Sequence, residues 1–222
     1  MKERPILFSA PMVRALLDGS KTQTRRIIKG QAPDWATFTD EEYADGREFF
    51  MVCGEKEPSG LRPILAAAHC PYGQAGDRLW VRETFSDIYG AGGDEARRKE
   101  EVMYRADGET DPYVIGGRWT PSIHMPRWAS RILLEIVSVR VERLQDCSRK
   151  DAIAEGIHRY EHVWRDSEYP LDDVAYEPVK GWATRYSCPI QAYQALWESI
   201  NGAGNWDANP WVWVVEFKRV TP

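Results

Sequence analysis

The segment RILLEIVSVRVERL, residues 131–144, constrains the fold more than any other, because its apolar alternation changes phase in the middle. The alternating apolar residues are first Ile132, Leu134 and Ile136 and then Val137, Val139 and Val141. Side chains of a β-strand point to opposite faces in turn, so a regular strand would move this apolar set to its other face. A bulge or a sharp bend removes the conflict. The segment therefore predicts a long, bent strand in a highly curved sheet.

Two further segments alternate in the same way and predict more strands. In DRLWVRETF, residues 77–85, Leu79, Val81 and Phe85 form an apolar face. The polar Glu83 interrupts that face and predicts an inward carboxylate. The C-terminal segment PWVWVVEFK predicts a strand with one face made of Trp211, Trp213, Val215 and Phe217. Together the strands predict an α+β protein with a mixed, mostly antiparallel, barrel-like sheet and a few flanking helices.

Three segments carry helical patterns. SAPMVRALLDG predicts a short helix with Ser9 as its N-cap and Gly19 as its terminator. In SRKDAIAEG, Ser148 and Asp151 have the spacing of a capping box and Gly156 ends the helix. The third helix is predicted over PIQAYQALWESING.

The length and the absence of internal repeats predict a single domain over residues 1–222. Three segments rich in Asp, Glu, Gly and Pro are expected to be insertions with little regular structure. These insertions lie near 30–75, 86–125 and 158–188.

Composition narrows the functional classes. Hydrophobic residues make up 43% of the chain without a long apolar run, which excludes a membrane-spanning helix. The apolar stretch before Pro11 is too short for a signal peptide, so a cytoplasmic location is expected. Asp and Glu number 34 against 29 Lys and Arg, so a broad basic surface for nucleic acid is not expected. A small-molecule partner is favoured over RNA, with no membrane partner.

The sequence predicts neither a metal nor another cofactor. The cysteines Cys53, Cys70, Cys147 and Cys188 lie far apart and form no C-x-x-C pair, which disfavours a zinc ribbon and a dense disulfide framework. His69, Cys70 and His124 also lack partners at the spacing of metal ligands.

Residues 19–26, GSKTQTRR, gather a lysine, two threonines and two arginines after the first predicted helix. Their spacing matches the G-x-K-x-x-T-x-R form of the ASCH domains, a branch of the PUA-like fold, through Gly19, Lys21, Thr24 and Arg26. In the same order, GDRLWVRETF, DAIAEG and WVWVVEFK resemble the family's strand after a Gly-Asp turn, its helix carrying a glutamate and its closing strand. The chain also resembles the longer, often phage-associated members of this family.

Known members of that family include small bacterial amidohydrolases that remove the acyl group from N(4)-acetylcytidine by means of a lysine, a threonine and a glutamate. The resemblance implies these three catalytic roles for Lys21, Thr24 and Glu155, with Glu83 as a rival carboxylate. The residue types suit the chemistry, because a threonine hydroxyl needs a base and a desolvated lysine beside a second cation can serve as one. Arg25 or Arg26 is the expected cation.

The candidate substrate-binding residues are Arg25, Arg26, Trp80, Arg82 and Glu83. Trp80 offers a ring for base stacking. For Glu83 and Arg82 the alternative is a plain ion-pair set on the sheet. In a regular strand Lys21 and Thr24 would point to opposite faces, so their convergence requires a turn or bulge between them.

Two other functions remain open at this level. PUA-like domains commonly bind RNA or modified bases, so a non-catalytic binding module is the first alternative. A ribonuclease, also known among ASCH-like proteins, is the second. Release of cytidine from N(4)-acetylcytidine would separate the amidohydrolase from the binding module.

Overall fold

The computed structural model describes residues 1–42, 48–54, 64–87, 102–108, 118–161, 174–179 and 184–220. Its helices are α1 Ala10–Leu17, α2 Arg149–Ala154 and α3 Pro189–Asn201. Its strands are β1 Glu3–Leu7, β2 Gln23–Ile27, β3 Thr37–Glu42, β4 Glu48–Cys53, β5 Ile64–Ala68, β6 Arg78–Arg82, β7 Phe85–Asp87, β8 Val102–Tyr104, β9 Leu133–Arg143, β10 His158–Glu161, β11 Val174–Glu177 and β12 Trp211–Val220. No helix in the described ranges has the length and apolar character needed to cross a membrane.

A five-stranded sheet in the order β1-β6-β9-β12-β2 organises the fold. β1 and β6 are parallel and the other neighbours are antiparallel, as the expected mixed, mostly antiparallel α+β architecture requires. Backbone pairing among the described strands leaves β1 and β2 as edges rather than closing a barrel. The sheet nevertheless curves strongly. Its two edge strands come close enough for Nη2 of Arg26 on β2 to donate to the carbonyl of Leu7 on β1 at 2.6 Å.

The predicted irregularity of the long strand is confirmed at Val137. Along β12, Glu216 pairs with Ser138 while its neighbour Phe217 pairs with Ile136, which leaves Val137 without a partner in that register. Val137 is 51% exposed, whereas Ile136 is buried. The extra residue is a β-bulge, and it lets the apolar alternation continue in its new phase at Val139.

Both faces of the sheet are covered, and β12 shows this most clearly. The predicted face of β12 packs in one core cluster together with Val13 and Leu16 of α1. Val212 and Val214, on the opposite face, pack in a second cluster with Leu196 of α3. The edge strand β2 therefore lies between the layer that contains α1 and the layer that contains α3.

The expectation of little regular structure is wrong for much of residues 30–75. Strands β3, β4 and β5 form a three-stranded antiparallel sheet. Its aromatic residues pack edge-on against the C-terminal strand, with ring centroids of Phe38 and Trp211 4.7 Å apart and of Phe50 and Trp213 5.1 Å apart. Packing on these tryptophans stabilises the short strands. β3 is largely polar, whereas β4 (EFFMVC) and β5 (ILAAA) are apolar runs within a segment that is polar as a whole.

The other two predicted insertions also contain short strands. β7 and β8 pair with each other in a separate two-stranded sheet, which contains Phe85. The strand predicted over 77–85 therefore ends at Arg82. β10 and β11 form an antiparallel pair. The described remainder of the predicted insertions consists of loops and two short 3-10 helices, Arg105–Asp107 and Ser122–His124. Residues 43–47, 55–63, 88–101, 109–117, 162–173 and 180–183 lie outside the described residues.

Candidate active site

Lys21 lies between α1 and β2, outside any regular strand. Its N–H donates to the carbonyl of Ala15 at 2.9 Å, and its backbone forms an isolated bridge with Glu155. β2 begins only at Gln23, so the strict alternation of a strand does not govern the direction of the Lys21 side chain. Lys21 thus lies before the regular strand that contains Thr24.

The Lys21 ammonium group is fully buried and fully hydrogen-bonded. It donates to the carbonyl of Gln23 at 2.8 Å, to the carbonyl of Glu155 at 2.8 Å and to Glu155 Oε2 at 2.9 Å. Burial lowers the pKa of Lys21, and the adjacent Glu155 carboxylate opposes that shift. The pair therefore brings together a lysine that releases its proton more readily than usual and a carboxylate beside it.

Local structure at the end of α2 places Glu155. The predicted capping box is present, because the Asp151 N–H donates to Ser148 Oγ at 3.1 Å and the Ser148 N–H donates to Asp151 Oδ2 at 3.0 Å. Glu155 is the C-cap residue, and Gly156 follows with a φ of +92°. The Thr22 N–H donates to the carbonyl of Ala154 at 2.9 Å, which ties the end of this helix to the start of β2.

Arg25 has a fully buried side chain surrounded by carboxylates. Its Nη2 lies 2.9 Å from Glu142 Oε2 and 3.5 Å from Asp151 Oδ2, and its Nη1 lies 3.5 Å from Glu155 Oε1. Arg140 joins the same network from β9 through Glu142 and Asp151. These contacts hold the Arg25 side chain in the protein interior and bring positive charge to Glu155.

A cavity of about 130 Å³ lies beside this cluster. Thr24, Arg25, Arg26 and Glu155 all line it, so the structure brings four of the predicted residues to one site. Lys21 does not line the cavity, but its ammonium group is hydrogen-bonded to Glu155, which does. The other lining residues come from both flanking layers and are Met12, Ile27, Tyr72, Tyr193, Leu196, Trp197, Ile200 and Asn201.

Several buried polar atoms of the lining have no hydrogen-bond partner within the described chain. They include the donors Arg25 Nε, Arg26 Nε and Trp197 Nε1. Glu155 Oε1 and Arg25 Nη1 also lack a hydrogen bond, but they form an ion pair with each other at 3.5 Å. Unpaired buried polar atoms are costly, so a cluster of them at a cavity is typical of a ligand site. Burial also raises the pKa of Tyr193, which keeps its phenol neutral.

Glu83 lies in a different part of the molecule. It is buried as predicted, but Arg131 holds it through Nε at 2.9 Å and Nη2 at 3.0 Å, and Arg131 also bonds Asp107. Burial raises the pKa of Glu83, and Arg131 opposes that shift. Glu83 is not among the residues that line the cavity.

Trp80 and Arg82 also lie outside the cavity lining. The Arg82 guanidinium stacks over the Trp80 ring at 4.6 Å from its centroid, and Arg127 lies 6.0 Å from the same ring. Trp80 is only 8% exposed. Its ring is therefore covered by protein cations rather than open to a base.

Sequence reasoning missed the aromatic wall of the cavity and the network behind it. Tyr193 and Trp197 lie one helical turn apart on α3, and this spacing is the local feature that places both rings on one side of the helix. Tyr72 follows a strand whose existence was not predicted. Arg140 and Glu142 belong to the predicted long strand, but nothing local indicates which side chains they meet.

Within the described residues, no three His, Cys, Asp or Glu side chains are grouped so as to hold a metal ion. Comparison of the chain with protein-family models, with curated proteins and with solved structures gives no match.

Proposed function

We propose that this chain is an amidohydrolase that removes the acyl group from N(4)-acetylcytidine and related N(4)-acylated cytidines. The observation that carries the proposal is the buried Lys21–Glu155 pair at a cavity that Thr24 lines. Glu155 is far in sequence from Lys21 and Thr24, yet it binds Lys21 and lines the same cavity as Thr24, which agrees with the combination that the ASCH resemblance implies. The proposal includes membership of the PUA-like fold and action in the cytoplasm.

The reaction adds water across the exocyclic amide. The oxygen of the Thr24 hydroxyl, or of a water held by it, forms a bond to the acyl carbon while its proton passes to the Lys21–Glu155 pair. The bond between the acyl carbon and N4 then breaks, and the pair returns a proton to N4. Cytidine is then released. On the threonine route a water next attacks the acyl–Thr24 ester, the pair takes the proton of that water and returns it to the Thr24 oxygen, and the carboxylic acid leaves. On either route the pair ends in its starting state.

The cavity size supports recognition of one end of the substrate. A volume of about 130 Å³ is smaller than the roughly 300–1,000 Å³ typical of pockets that enclose a whole ligand. The acylated edge of the base would enter, with the ribose at the mouth near the exposed Ile200. Tyr72 and Trp197 would contact the base ring.

One observation favours a second candidate, a non-catalytic module that binds a modified nucleotide. All three protons of the Lys21 ammonium already have acceptors, which is also what a structural lysine requires. Such a module would use the cavity without a proton transfer.

The deciding experiment incubates the purified chain with N(4)-acetylcytidine and follows cytidine and acetate by chromatography. Hydrolysis that disappears in Lys21→Met and Thr24→Ala variants would support the amidohydrolase. Binding without product, measured by calorimetry, would favour the binding module. Cleavage of a labelled RNA in a parallel reaction would favour the ribonuclease instead.

A further inference from the structure

The hydrogen bonds at both ends of β2 show which backbone groups face away from the sheet. The Phe217 N–H donates to the carbonyl of Thr22 at 2.9 Å, and the Ile28 N–H donates to the carbonyl of Trp211 at 3.0 Å. The register between these two points is unbroken. Hydrogen-bonded and non-hydrogen-bonded positions alternate in an antiparallel pair. Thr24 and Arg26 therefore bond to β12, and positions 23, 25 and 27 point their backbone groups outward.

Gln23 and Arg25 use these outward groups differently. The Gln23 carbonyl accepts a hydrogen bond from Lys21 Nζ at 2.8 Å, which agrees with the alternation. The Arg25 N–H and carbonyl have no hydrogen-bond partner among the described residues. An unpaired N–H on an edge strand is a donor available to a ligand.

The cavity lies along this edge. Thr24, Arg25, Arg26 and Ile27 are consecutive and all line it, although their side chains alternate between the two faces of the sheet. Side chains on one face of the sheet cannot account for four consecutive lining residues, so we infer that the cavity lies against the outer edge of β2, where Arg25 and Ile27 point their backbone groups. Met12 from one layer and Trp197 from the other complete the walls on either side.

We propose that the backbone N–H of Arg25 is the oxyanion donor of the site, which binds the acyl oxygen of the substrate. This inference rests on the proposed amidohydrolase function. As the carbonyl carbon becomes tetrahedral, negative charge grows on that oxygen, and a fixed N–H stabilises it. Outward-pointing residues repeat about every 7 Å along a strand, so the Arg25 N–H is the next outward polar group after the Gln23 carbonyl, which accepts from Lys21.

The position of the donor also suits the nucleophile. Arg25 directly follows Thr24, and the N–H of the residue after a nucleophile is a common oxyanion donor. The Arg25 side chain is bound to carboxylates, so the residue acts on the substrate through its backbone while its guanidinium supports Glu155.

The first test compares Arg25→Pro with Arg25→Ala. Both lose the side chain, but only proline also removes the N–H, and an outward N–H on an edge strand is where a sheet tolerates proline. We expect kcat of Arg25→Pro to be about 100- to 1,000-fold below that of Arg25→Ala, with KM little changed. Equal kcat values in two folded variants would overturn the inference. The melting temperature of Ile27→Pro, at the next outward position, shows whether β2 accepts proline.

The second test needs neither Arg25 variant to fold. In a ¹⁵N-labelled Thr24→Ala protein, the Arg25 amide proton should shift downfield with N(4)-acetylcytidine and not with cytidine, which lacks the acyl oxygen. An Arg25 signal that responds equally to both ligands, or to neither, would overturn the inference. If the selective shift occurs but the wild-type chain releases no cytidine, the hydrogen bond stands and the proposed hydrolysis fails.

Discussion

Gly156 packs so closely against Lys21 that a Cβ atom at position 156 would lie 3.1 Å from Lys21 Cβ. The same added atom would lie 3.1 Å from Ala15 Cβ, and the φ of +92° is one that residues with side chains rarely adopt. The glycine after Glu155 therefore does more than end α2. It allows the helix end to approach Lys21 closely enough for the two backbones to form their bridge.

Replacing Gly156 should damage both stability and the site. Gly156→Ala combines an unfavourable φ with two tight contacts, so we expect a loss of about 1–3 kcal/mol in unfolding free energy and a lower kcat. Gly19→Ala is the matched control, because Gly19 has a φ of +82° but its added Cβ would meet nothing within 4 Å. Thermal and urea unfolding measure the loss of stability in the two variants. Equal losses in the two variants would show that the approach to Lys21 carries no cost.

Thr24 offers the most direct test of the catalytic assignment. Thr24→Ala should remove most of kcat with little change in stability, because it deletes one hydroxyl and one methyl group at a cavity wall. Thr24→Ser keeps the hydroxyl and should retain much more activity. Initial rates on N(4)-acetylcytidine separate the two. Full activity in Thr24→Ala would exclude both proposed roles of the hydroxyl.

The two buried carboxylates, Glu155 and Glu83, should respond oppositely. Glu155→Gln should abolish turnover, because an amide cannot relay the proton of the nucleophile to the Lys21 amine. Glu83→Gln should leave kcat near the wild-type value and lower the melting temperature, because it weakens the paired hydrogen bonds from Arg131. Loss of kcat in Glu83→Gln with full activity in Glu155→Gln would transfer the acid–base role to Glu83.

The lowered pKa of Lys21 predicts a particular dependence on pH. The neutral amine is the base, so kcat/KM should rise with pH and level off below the range in which an ordinary lysine titrates. The unfolding free energy should also rise with pH. The unfolded chain binds this proton more tightly than the folded one, so unfolding free energy rises with pH between the folded and unfolded pKa values.

The predicted pH dependence of unfolding free energy has its own control. Lys21→Met should remove the rise in unfolding free energy over that window, whatever its effect on turnover. Urea unfolding of the wild-type chain and Lys21→Met at several pH values gives the comparison. A wild-type rise that persists unchanged in Lys21→Met would assign the titration to another group.

Local patterns predicted most of the central sheet and the three helices. The shift of alternation at Val137 was enough to predict a bulge, because the consequence of a one-residue slip is the same in any sheet. The capping box of Ser148 and Asp151 was equally readable, since both partners lie within one helical turn. β3 was missed because it is largely polar and packs on Trp211, far away in the sequence. β4 was missed because the polar composition of the whole segment outweighed its own apolar run, EFFMVC.

The same difference between local patterns and tertiary contacts applies to the site. The spacing from Lys21 to Thr24 and the Glu-Gly pair at 155 and 156 were visible, and the structure brings them together. Arg25 was a candidate for substrate binding or for the cation beside Lys21. Its charge is bound by Glu142 and Asp151 from two other elements, which disfavours the first role. Trp80 was expected to offer a free ring, whereas Arg82 covers it. Such pairings depend on tertiary contacts that spacing does not encode.

Charge and burial at the cavity predict a preference for the free nucleoside over RNA. Carboxylates compensate the charges of Lys21 and Arg25, whereas Arg26 keeps its charge and donates one hydrogen bond to the Leu7 carbonyl. Few charges are left to follow a phosphate backbone. A base within folded RNA must also be unstacked, at a cost of a few kcal/mol. We therefore expect kcat/KM for N(4)-acetylcytidine to exceed that for an acetylated RNA oligomer.

The measurement compares the two substrates at low and high salt. Turnover of the nucleoside should change little with salt, because its recognition involves no phosphate. The oligomer should be the poorer substrate at both salt concentrations, and a single-stranded oligomer should exceed a hairpin that contains the same base in its stem. Faster turnover of the oligomer, falling steeply as salt rises, would mean that phosphate contacts drive binding. RNA would then replace the nucleoside as the substrate.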